Sequence, residues 1–528
     1  MIKILVCDEL SEKGMAILKS IPDTHLDVKT GRTEKELIDL ISQYEAVVVR
    51  SATKITAPVI EASKKLKVIA RAGTGYDNID IESATKKGIV VMNTPAANSV
   101  AAAEHTIAMM MALARNIPQA HQTLQEGKWD RKSFVGVELT GKCLGLIGFG
   151  NVGRHVALRA RALKMEVLAC DPFVSEKAAD EAGVMLVSLD ELYQRADFIS
   201  IHSILNEATR HMVGKEAFSK MKNGMRVVNC ARGGIIDEEA LLKAIQEGKI
   251  LGAALDVFEK EPVPTDHPLL HHSRVITTPH LGASTDEAQE QVVVAVAEQL
   301  RTYFTDEIVV NGVNVPQVSR EVLRSIGNYI DLGQKMGWFL GQLEMSSVDE
   351  VHVECAGEIL KYDTSPIVTG VLCGLMQQIL LESINFVNAP IAAKERGIRV
   401  VESRVAEAGN YLSLVTVAVK FQNLEHRLSG SVFGKDHQRL VKFDHFYIEV
   451  VPKGHLLIIH NEDKPGTVAS WSSILGRNNI NISQMHLALG SDRKLALAIV
   501  NIDTPAPPHV IEELKKLPNI QSIRKVKL

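Results

Sequence analysis

From the N-terminus to about residue 280, short apolar runs alternate with longer segments that mix apolar and polar residues. The runs lack the polar alternation of a half-exposed strand, so they indicate strands buried on both faces of a parallel sheet. The longer segments, such as 11–20 and 34–42, have apolar residues at helical spacing and indicate crossover helices. The pattern predicts an α/β fold with strands at 2–7, 45–49, 67–70, 89–92, 143–147, 166–170, 197–201, 225–229, 251–255 and 274–277.

One helical pattern is unusually apolar. Residues 101–114 are rich in alanine and methionine, and Ser99 could cap the helix that they predict. Their apolar content exceeds a single helical face, so we expect this helix to be buried, between domains or between subunits.

A second long helical pattern, from 285 to 305, can carry the chain back to its first domain. The doubly wound block 99–284 would then be an insertion, and residues 1–98 and 285–316 would form one discontinuous domain. The segment 311–316, with glycine and proline, is typical of an exit linker.

The remaining chain predicts two smaller modules. Residues 317–452 show helical patterns first and then alternating strands, such as 411–421 and 445–450, which indicates an α+β module. Residues 453–528 predict the order strand, helix, strand, strand, helix, strand, which is the ferredoxin-like βαββαβ arrangement. The predicted elements are 456–460, 467–476, 480–489, 494–501, 508–515 and 521–527.

Composition excludes several classes of protein. A chain of 528 residues is too long for one core, and 46% hydrophobic with 23% charged residues is typical of a globular protein. The net charge of −4 gives no nucleic-acid-binding signature, and no apolar stretch is long enough to predict a membrane span. Residues 1–8 are typical of a first strand and not of a signal peptide. The six cysteines form no CxxC pair and lie mostly in apolar runs. We therefore expect buried thiols, no metal site and a reducing, cytoplasmic setting.

The strongest candidate for a binding site is the turn 148–153, with the sequence Gly-Phe-Gly-Asn-Val-Gly. It lies between an apolar strand and a proline-free helical pattern, and the next strand ends directly before Asp171. This is the context of a dinucleotide-binding site, in which the glycines let the backbone approach a pyrophosphate at a helix N-terminus. Asp171 can accept hydrogen bonds from a ribose diol and would repel a 2′-phosphate, which favours NAD over NADP.

Polar residues that could carry chemistry follow three later strands. Arg232, Glu261 and His280 come after consecutive predicted strands, whose carboxyl ends meet where ligands bind. Each has a structural alternative: a salt-bridged surface arginine, a solvated acidic loop and a hydrogen-bonded structural histidine. Together they suit a dehydrogenase, in which a histidine takes the alcohol proton, an arginine orients a carboxylate and an acid tunes the base.

The first domain adds two further arginines. Arg50 and Arg71 each directly follow an apolar strand, and the glycines at 73 and 75 leave backbone N–H groups free to bind an anion.

Taken together, these motifs resemble the D-2-hydroxyacid dehydrogenases, and within them the long-form D-3-phosphoglycerate dehydrogenase family. The resemblance covers nearly the whole chain and rests on RAGTGYDNID, MNTPAANS, GFGNVG, NCARGG, DVFEKEP and TPHLGAS. It implies a Rossmann-type NAD domain inserted in a flavodoxin-like substrate domain. Residues 385–390 and 431–434 resemble an intervening allosteric domain, and 461–466 resemble a regulatory domain of the ACT type.

The resemblance also implies roles for individual residues. Arg232, Glu261 and His280 match the catalytic trio. The residues that match the NAD site are Thr74, Gly148, Gly150, Asn151, Val152, Gly153, Asp171, Ser203, Cys230, Ala231, Asp256, Gly282 and Ala283. The residues that match substrate positions are Arg50, Ser51, Arg71, Gly73 and Arg131, the last on a basic segment that some members lend to a neighbouring subunit.

The implied reaction is the oxidation of 3-phosphoglycerate to 3-phosphohydroxypyruvate by NAD, the first step of serine biosynthesis. His280 is expected to take the C2 hydroxyl proton, with Glu261 favouring the charged imidazole and Arg232 holding the carboxylate. Arg50 and Arg71 are candidates for the phosphate.

The resemblance further implies regulation and assembly. Asn461, Asp463 and Asn481 match positions that bind serine as an effector. Many relatives carry histidine or tyrosine where this chain has Asn461, so we expect weaker serine inhibition or none. ACT-type modules often pair edge to edge, which indicates a homo-oligomer, with a tetramer as the expected state.

Two alternatives remain at this point. Another 2-hydroxyacid reductase, such as a glyoxylate or hydroxypyruvate reductase, would share the core but not the C-terminal extension of roughly 200 residues. An NAD-sensing binding protein of the corepressor type would share the fold and trio but not the ACT-like module.

Overall fold

The computed structural model of the chain describes residues 1–316, 320–344, 347–380, 384–422, 424–490 and 494–528. Within these ranges, no helix has both the length and the apolar character that crossing a membrane requires.

The first sheet consists of five parallel strands in the order β2-β1-β3-β4-β5. Its central strands are continuously apolar and buried on both faces, as the sequence predicted. The edge strand β2 was not predicted, because its residues are only partly buried and form no apolar run. The elements are β1 Ile2–Val6, α1 Glu12–Lys19, β2 Thr24–Val28, α2 Glu34–Ile41, β3 Ala46–Val49, α3 Ala57–Ala62, β4 Val68–Arg71, α4 Ile81–Lys86 and β5 Val90–Met92.

The second sheet has seven parallel strands in the order β12-β11-β10-β9-β6-β7-β8, which is the doubly wound arrangement. The first helices and strands of this block are α5 Ser99–Arg115, α6 Ile117–Gln125, β6 Cys143–Ile147, α7 Asn151–Ala162, β7 Glu166–Cys170, α8 Glu176–Glu181 and β8 Met185–Leu186. The rest are α9 Leu189–Arg195, β9 Phe198–Ile201, α10 Lys215–Lys220, β10 Met225–Asn229, α11 Glu238–Gln246, β11 Ile250–Leu255 and β12 Val275–Thr277. The predicted α/β fold class is therefore confirmed.

Helix α5 is buried along most of its length, although Val100 and Met111 remain exposed. The prediction that Ser99 caps this helix is wrong. Asn98 occupies the cap position, without a side-chain cap bond, and Ser99 is the buried first residue of the helix. The Asn98 side chain is otherwise engaged, because it accepts a hydrogen bond from the Thr74 hydroxyl at 2.6 Å.

Helix α12, Asp286–Asp306, returns to the first sheet, as expected from the sequence. Thr285 caps it through the Ala288 N–H, and Val293 and Val296 pack into the core that contains Ile4 and Val6. The segment 311–316 is more than a linker, because Gly312 forms an antiparallel bridge with Met92 at the edge of the first sheet.

The third sheet is mixed and has six strands in the order β14-β13-β15-β16-β17-β18. Two helices with extensive mutual contact, α13 and α14, cover one of its faces. The elements are α13 Arg320–Gly341, β13 Val348–Gly357, α14 Ser365–Ile379, α15 Ala389–Glu395, β14 Arg399–Val405, β15 Ser413–Phe421, β16 Leu424–Phe433, β17 His437–Phe443 and β18 Phe446–Val450.

The last sheet is antiparallel, in the order β20-β21-β19-β22, and confirms the predicted βαββαβ module. One face shares a core with the third sheet, since Leu456, Ile458 and Ile499 belong to the cluster that includes Phe339 and Phe443. The elements are β19 His455–Glu462, α16 Thr467–Arg477, β20 Ile482–Leu489, β21 Leu495–Ile502, α17 Pro508–Lys515 and β22 Ile520–Lys527. The four sheets fall within the four predicted domains, whose bounds stay predictions.

Candidate active site

The histidine and the glutamate singled out in the sequence form a direct pair. His280 follows β12 and lies in the left-handed region with φ of 56°, which is uncommon for a residue with a side chain. Its Nδ1 atom lies 2.7 Å from Glu261 Oε2. The Nε2 atom makes no hydrogen bond with any described residue and is available to a ligand.

Glu261 is prepared to act as the charged partner of this histidine. Burial raises the pKa of Glu261, but the hydrogen bonds from His280 and from the Phe258 N–H outweigh burial and lower the pKa overall. The carboxylate therefore stays ionised at neutral pH and orients the imidazole, leaving Nε2 to exchange the proton.

Asp256 supports the loop that carries His280. Its side chain is 0% exposed, and its two oxygens accept hydrogen bonds from the N–H groups of Leu281 at 2.7 Å and Gly282 at 2.8 Å. The Asp256 carbonyl accepts the His280 N–H at 2.9 Å. Asp256 thus lies beneath the loop, and its predicted contact with NAD stays a prediction.

Two further residues contact the buried carboxylate of Asp256. The Thr278 hydroxyl donates to Asp256 at 2.6 Å, and His105 Nε2, from helix α5, lies 3.2 Å from the same oxygen. Cys230 lies close enough to His105 and Asp256 to suggest a metal site. The Asp256 oxygens already accept from the Thr278 hydroxyl and from the N–H groups of Leu281 and Gly282. The cluster is therefore better explained as a hydrogen-bonded support.

Arg232 lies at the cleft between the first two sheets. Its Nε donates to Asp77 of the first domain at 3.2 Å, and its Nη1 donates to the Ala231 carbonyl at 2.7 Å. A Cβ atom at Gly75 would come within 2.0 Å of Nη2, so Gly75 makes room for the guanidinium. The contact between Arg232 and Asp77 joins the two domains, and no sequence motif predicted it.

Arg50 and Arg71 lie at the carboxyl edge of the first sheet, as predicted. A Cβ atom at Gly73 would come within 2.1 Å of Arg71 Nη1, so the glycine admits this side chain. Burial lowers the pKa of Arg71 to about 10, with further lowering by the nearby charge of Arg232. Three guanidinium groups therefore converge on one cleft, which suits a ligand that carries both a carboxylate and a phosphate.

The glycine-rich turn has the close contacts that a dinucleotide requires. Gly148 has φ of 96°, and a Cβ atom there would come within 2.7 Å of the His202 carbonyl. At Gly153 a Cβ atom would come within 2.5 Å of the Gly148 carbonyl, whereas the position of a Cβ at Gly150 is open space. Helix α7 begins at Asn151 without a side-chain cap, so its first N–H groups point into that space.

Asp171 and Ser203 flank this turn. Asp171 accepts hydrogen bonds from the N–H groups of Phe149 at 2.8 Å and Phe173 at 2.9 Å, so it also fixes the glycine-rich turn. The Ser203 hydroxyl is buried and has no partner among the described residues. An orphaned hydroxyl beside an open anion cradle fits the NAD that the sequence implied.

Other predicted site residues occupy positions around this cleft. Val152 lies in the first turn of α7, and the Ala231 N–H donates to Asn229 at 3.1 Å. Ala283 follows the buried Gly282, and Ser51 is exposed beside Arg50.

Arg131 is separate from the cleft residues of its own chain. It lies on the exposed segment 129–132 that follows α6, next to Trp129, whose side chain is 81% exposed. No hydrogen bond or ion pair joins Arg131 to the cleft residues within the described chain.

The three predicted effector residues do not form a single site within one chain. Asn461 is 2% exposed, and its Nδ2 donates to the Glu462 carbonyl at 2.8 Å. The Asp463 N–H bonds to Lys494 before β21, whereas Asn481 bonds to Asp503 beyond the end of β21. The length of this strand, roughly 26 Å for eight residues at 3.3 Å each, separates Asp463 from Asn481.

Family models match three parts of the chain. Residues 107–282 match the NAD-binding domain of D-isomer specific 2-hydroxyacid dehydrogenases. Residues 325–444 match the D-3-phosphoglycerate dehydrogenase intervening domain, and 455–519 match the ACT domain.

Whole-chain relatives agree with these models. The chain is 44% identical to a D-3-phosphoglycerate dehydrogenase from Archaeoglobus fulgidus, over 98% of both chains. It is 42% identical to one from Synechocystis, over 100% of this chain and 95% of the relative. A D-lactate dehydrogenase from Aquifex aeolicus, solved with NAD and lactic acid, is 28% identical with a TM-score of 0.53, covering 60% of this chain and 100% of its own.

Proposed function

The chain belongs to the D-3-phosphoglycerate dehydrogenase family, and from this membership we propose how its own residues bind and oxidise the substrate. The reaction is the NAD-dependent oxidation of 3-phosphoglycerate to 3-phosphohydroxypyruvate, the first step of serine biosynthesis. The observation that carries the proposal is the hydrogen bond between His280 Nδ1 and Glu261 Oε2, which leaves Nε2 free at the cleft.

His280 Nε2 takes the proton of the C2 hydroxyl. NAD, when bound, would supply the acceptor for the C2 hydride, which gives the 2-oxo acid, NADH and a proton as products. The imidazolium that forms is stabilised by Glu261, whose carboxylate is ionised at neutral pH. The support of the loop by Asp256 keeps the imidazole in place during this exchange.

The three arginines bind the two charged groups of the substrate, its carboxylate and its phosphate. Arg232 binds the carboxylate and polarises the C2 oxygen, and the distal phosphate lies between Arg50 and Arg71. Asp77 accepts a hydrogen bond from the Nε atom of Arg232, and the Nη2 atom lies against Gly75 of the first domain. The exposed Ser51 is available to a further oxygen of the substrate, whereas the Gly73 N–H already donates to the Arg71 carbonyl at 3.0 Å, contrary to the expectation that it is free for an anion.

Most of the residues that would hold NAD belong to the second domain. The N–H groups at Asn151 and Val152, beside the open space at Gly150, would bind the pyrophosphate, and Asp171 would accept from the ribose diol. Ser203 offers its unpartnered hydroxyl. Thr74, Cys230, Ala231, Asp256, Gly282 and Ala283 line the remainder of the site.

The activity is tested by following NADH absorbance with purified protein and NAD. Turnover of 3-phosphoglycerate at a kcat/KM at least about a hundredfold above that for D-glycerate and D-lactate is expected, because only the first has a phosphate for the paired arginines. A higher kcat/KM for an unphosphorylated acid would point to another 2-hydroxyacid dehydrogenase. NAD binding without turnover of any of the three would point to an NAD-sensing role.

The working form is a homo-oligomer, with a tetramer as the expected state. Exposed apolar side chains on and after α5 support this, among them Val100, Met111, Leu124, Trp129 and Val135. Arg131 completes the substrate site of a neighbouring copy, since it joins no cleft residue of its own chain. All six cysteines are free, which supports a reducing, cytoplasmic setting.

Serine acts as an effector at a site formed between two ACT-type modules. Asp463 of one copy and Asn481 of another would hold the ammonium and carboxylate groups, because within one copy they lie at opposite ends of β21. Asn461 is buried beneath this surface. It lacks the ring that many relatives carry at this position, so we expect inhibition weaker than in those relatives, or none. Calorimetry of serine binding to the full chain and to Asn481→Ala tests the site. Unchanged binding in the variant would refute it.

A further inference from the structure

Two side chains bind the backbone of the loop that carries Arg50. Asp8 accepts the N–H group of Arg50 and, at 2.8 Å, the hydroxyl of Thr53. From the other side, Asn78 Nδ2 donates to the carbonyls of Arg50 at 2.7 Å and Thr53 at 2.6 Å. One side chain therefore accepts from the loop and the other donates to it, which leaves the Cα atom of Arg50 little freedom.

Asn78 also contacts the second arginine of this edge. Arg71 Nε donates to Asn78 Oδ1 at 3.3 Å. Arg71 is half-buried and lies near Arg232 and Arg50, whose positive charges repel its own. A neutral amide oxygen orients this guanidinium without cancelling its charge, whereas a carboxylate in the same place would neutralise it.

We propose that Asn78 is a positioning residue that sets the spacing between Arg50 and Arg71 and so gives the cleft its affinity for the substrate phosphate. One amide group holds the first arginine through its main chain and the second through its side chain. The phosphate of a three-carbon acid lies away from C2, so contacts to it contribute mainly binding energy and little to the chemical step. The identity of the substrate rests on the proposed function.

Asn78→Ala is the variant that tests this inference. Both carbonyls lose their donor and Arg71 loses its acceptor, so the two guanidinium groups can move apart. With NAD saturating, the KM for 3-phosphoglycerate should rise about tenfold or more while kcat stays within about threefold, since His280, Glu261 and Arg232 are untouched. Competitive inhibition by inorganic phosphate should weaken by a similar factor.

Asn314→Ala is the matched control. Asn314 makes the same kind of contacts in the same domain, donating to Ile89 at 2.8 Å and accepting from Val91 at 2.9 Å, but no arginine is among its partners. Its KM for 3-phosphoglycerate should stay within about twofold of the parent. Should Asn78→Ala fail to fold, Asn78→Ser replaces it, with the same expected split between KM and kcat.

An unchanged KM in the Asn78 variant, or a fall in kcat as large as the rise in KM, would overturn the inference. Failure of the parent to oxidise 3-phosphoglycerate would instead overturn the proposed function. In that case calorimetry of inorganic phosphate binding, with NAD saturating, still decides the question. Phosphate binding that weakens in the Asn78 variant supports the anion site, and equal binding in parent and variant refutes it.

Discussion

At the scale of single residues, the groups that would act on the substrate are each held by a partner that need not touch it. Glu261 holds His280, Asp77 contacts Arg232, and Asn78 joins Arg50 to Arg71. Each partner supplies an oriented hydrogen bond within a cleft crowded with positive charge. Side-chain geometry in such a site is therefore determined before the substrate arrives, which is the condition for efficient catalysis.

His280→Ala should lower kcat by about 10² to 10⁴, because the variant has no side chain that can take the C2 hydroxyl proton. The KM for NAD should change by less than about twofold, since the imidazole is not needed for cofactor binding. Steady-state kinetics with 3-phosphoglycerate measure both quantities. Turnover within about threefold of the parent would mean that His280 is structural.

Asp171→Ala should weaken NAD binding and reduce the discrimination against NADP, because one carboxylate both accepts from the ribose diol and repels a 2′-phosphate. The Phe149 N–H also loses its acceptor, so the affinity for both cofactors should fall to some extent. Titration of NAD and NADP separates the effects, since only the ratio of the two affinities reports on the ribose. An unchanged ratio would remove Asp171 from the ribose site.

At the scale of elements, two helices of the intervening domain cross with their backbones in contact. A Cβ atom at Gly337 of α13 would come within 2.1 Å of the Val371 carbonyl, and one at Gly374 of α14 within 2.0 Å of the Gln334 carbonyl. Gly370 meets the Ile330 carbonyl in the same way, at 2.7 Å. A glycine inside a helix lowers its intrinsic stability, but here the glycines permit the close packing of the two helices.

Two glycine-to-alanine changes in α13 should therefore have opposite effects. At Gly327, where a Cβ atom would meet nothing within 4 Å, alanine should raise the free energy of unfolding by about 0.5–1 kcal/mol. At Gly337, alanine must push the helices apart and should lower it by about 1–3 kcal/mol. Urea unfolding followed by tryptophan fluorescence measures both, since Trp338 lies in this helix. If both variants change the free energy of unfolding in the same direction, close helix packing at Gly337 is not the cause.

At the scale of the whole molecule, the substrate site is expected to be complete only in an assembly. Arg131 lies on an exposed segment beside Trp129 and joins none of the cleft residues of its own chain. If a neighbouring copy receives it, then Arg131 and His280 of one site come from different chains.

Complementation between two impaired variants tests this arrangement. Arg131→Ala and His280→Ala should each have low activity, whereas their co-expressed mixture should recover up to roughly a quarter of the parent activity. The reason is that about half of randomly mixed dimers are hybrids, each with one intact site. Separate tags allow the hybrids to be isolated and assayed. Hybrid activity no higher than the mean of the two variants would place Arg131 outside the partner's site.

Much of the fold could be predicted because its strands differ sharply from its helices in pattern. The buried parallel strands are continuous apolar runs, and their observed ends lie within about two residues of the predicted ones. Edge strands such as β2 and β8 were missed because they are short or half-exposed and therefore carry no such run. The Ser99 cap was misplaced because a serine that begins a buried helix looks the same in sequence as one that caps it.

The sequence by itself determined the fold class, the family and the residues able to carry the chemistry, because apolar periodicity and glycine-rich motifs are local along the chain. Only the tertiary structure decided which residues support that chemistry. Asp77, Asn78 and His105 lie far along the chain from Arg232, Arg50 and Asp256, yet they are hydrogen-bonding neighbours in space. The sequence around a carboxylate or amide in a turn does not indicate its hydrogen-bond partner, because separate strands and domains bring the two together only in the folded protein.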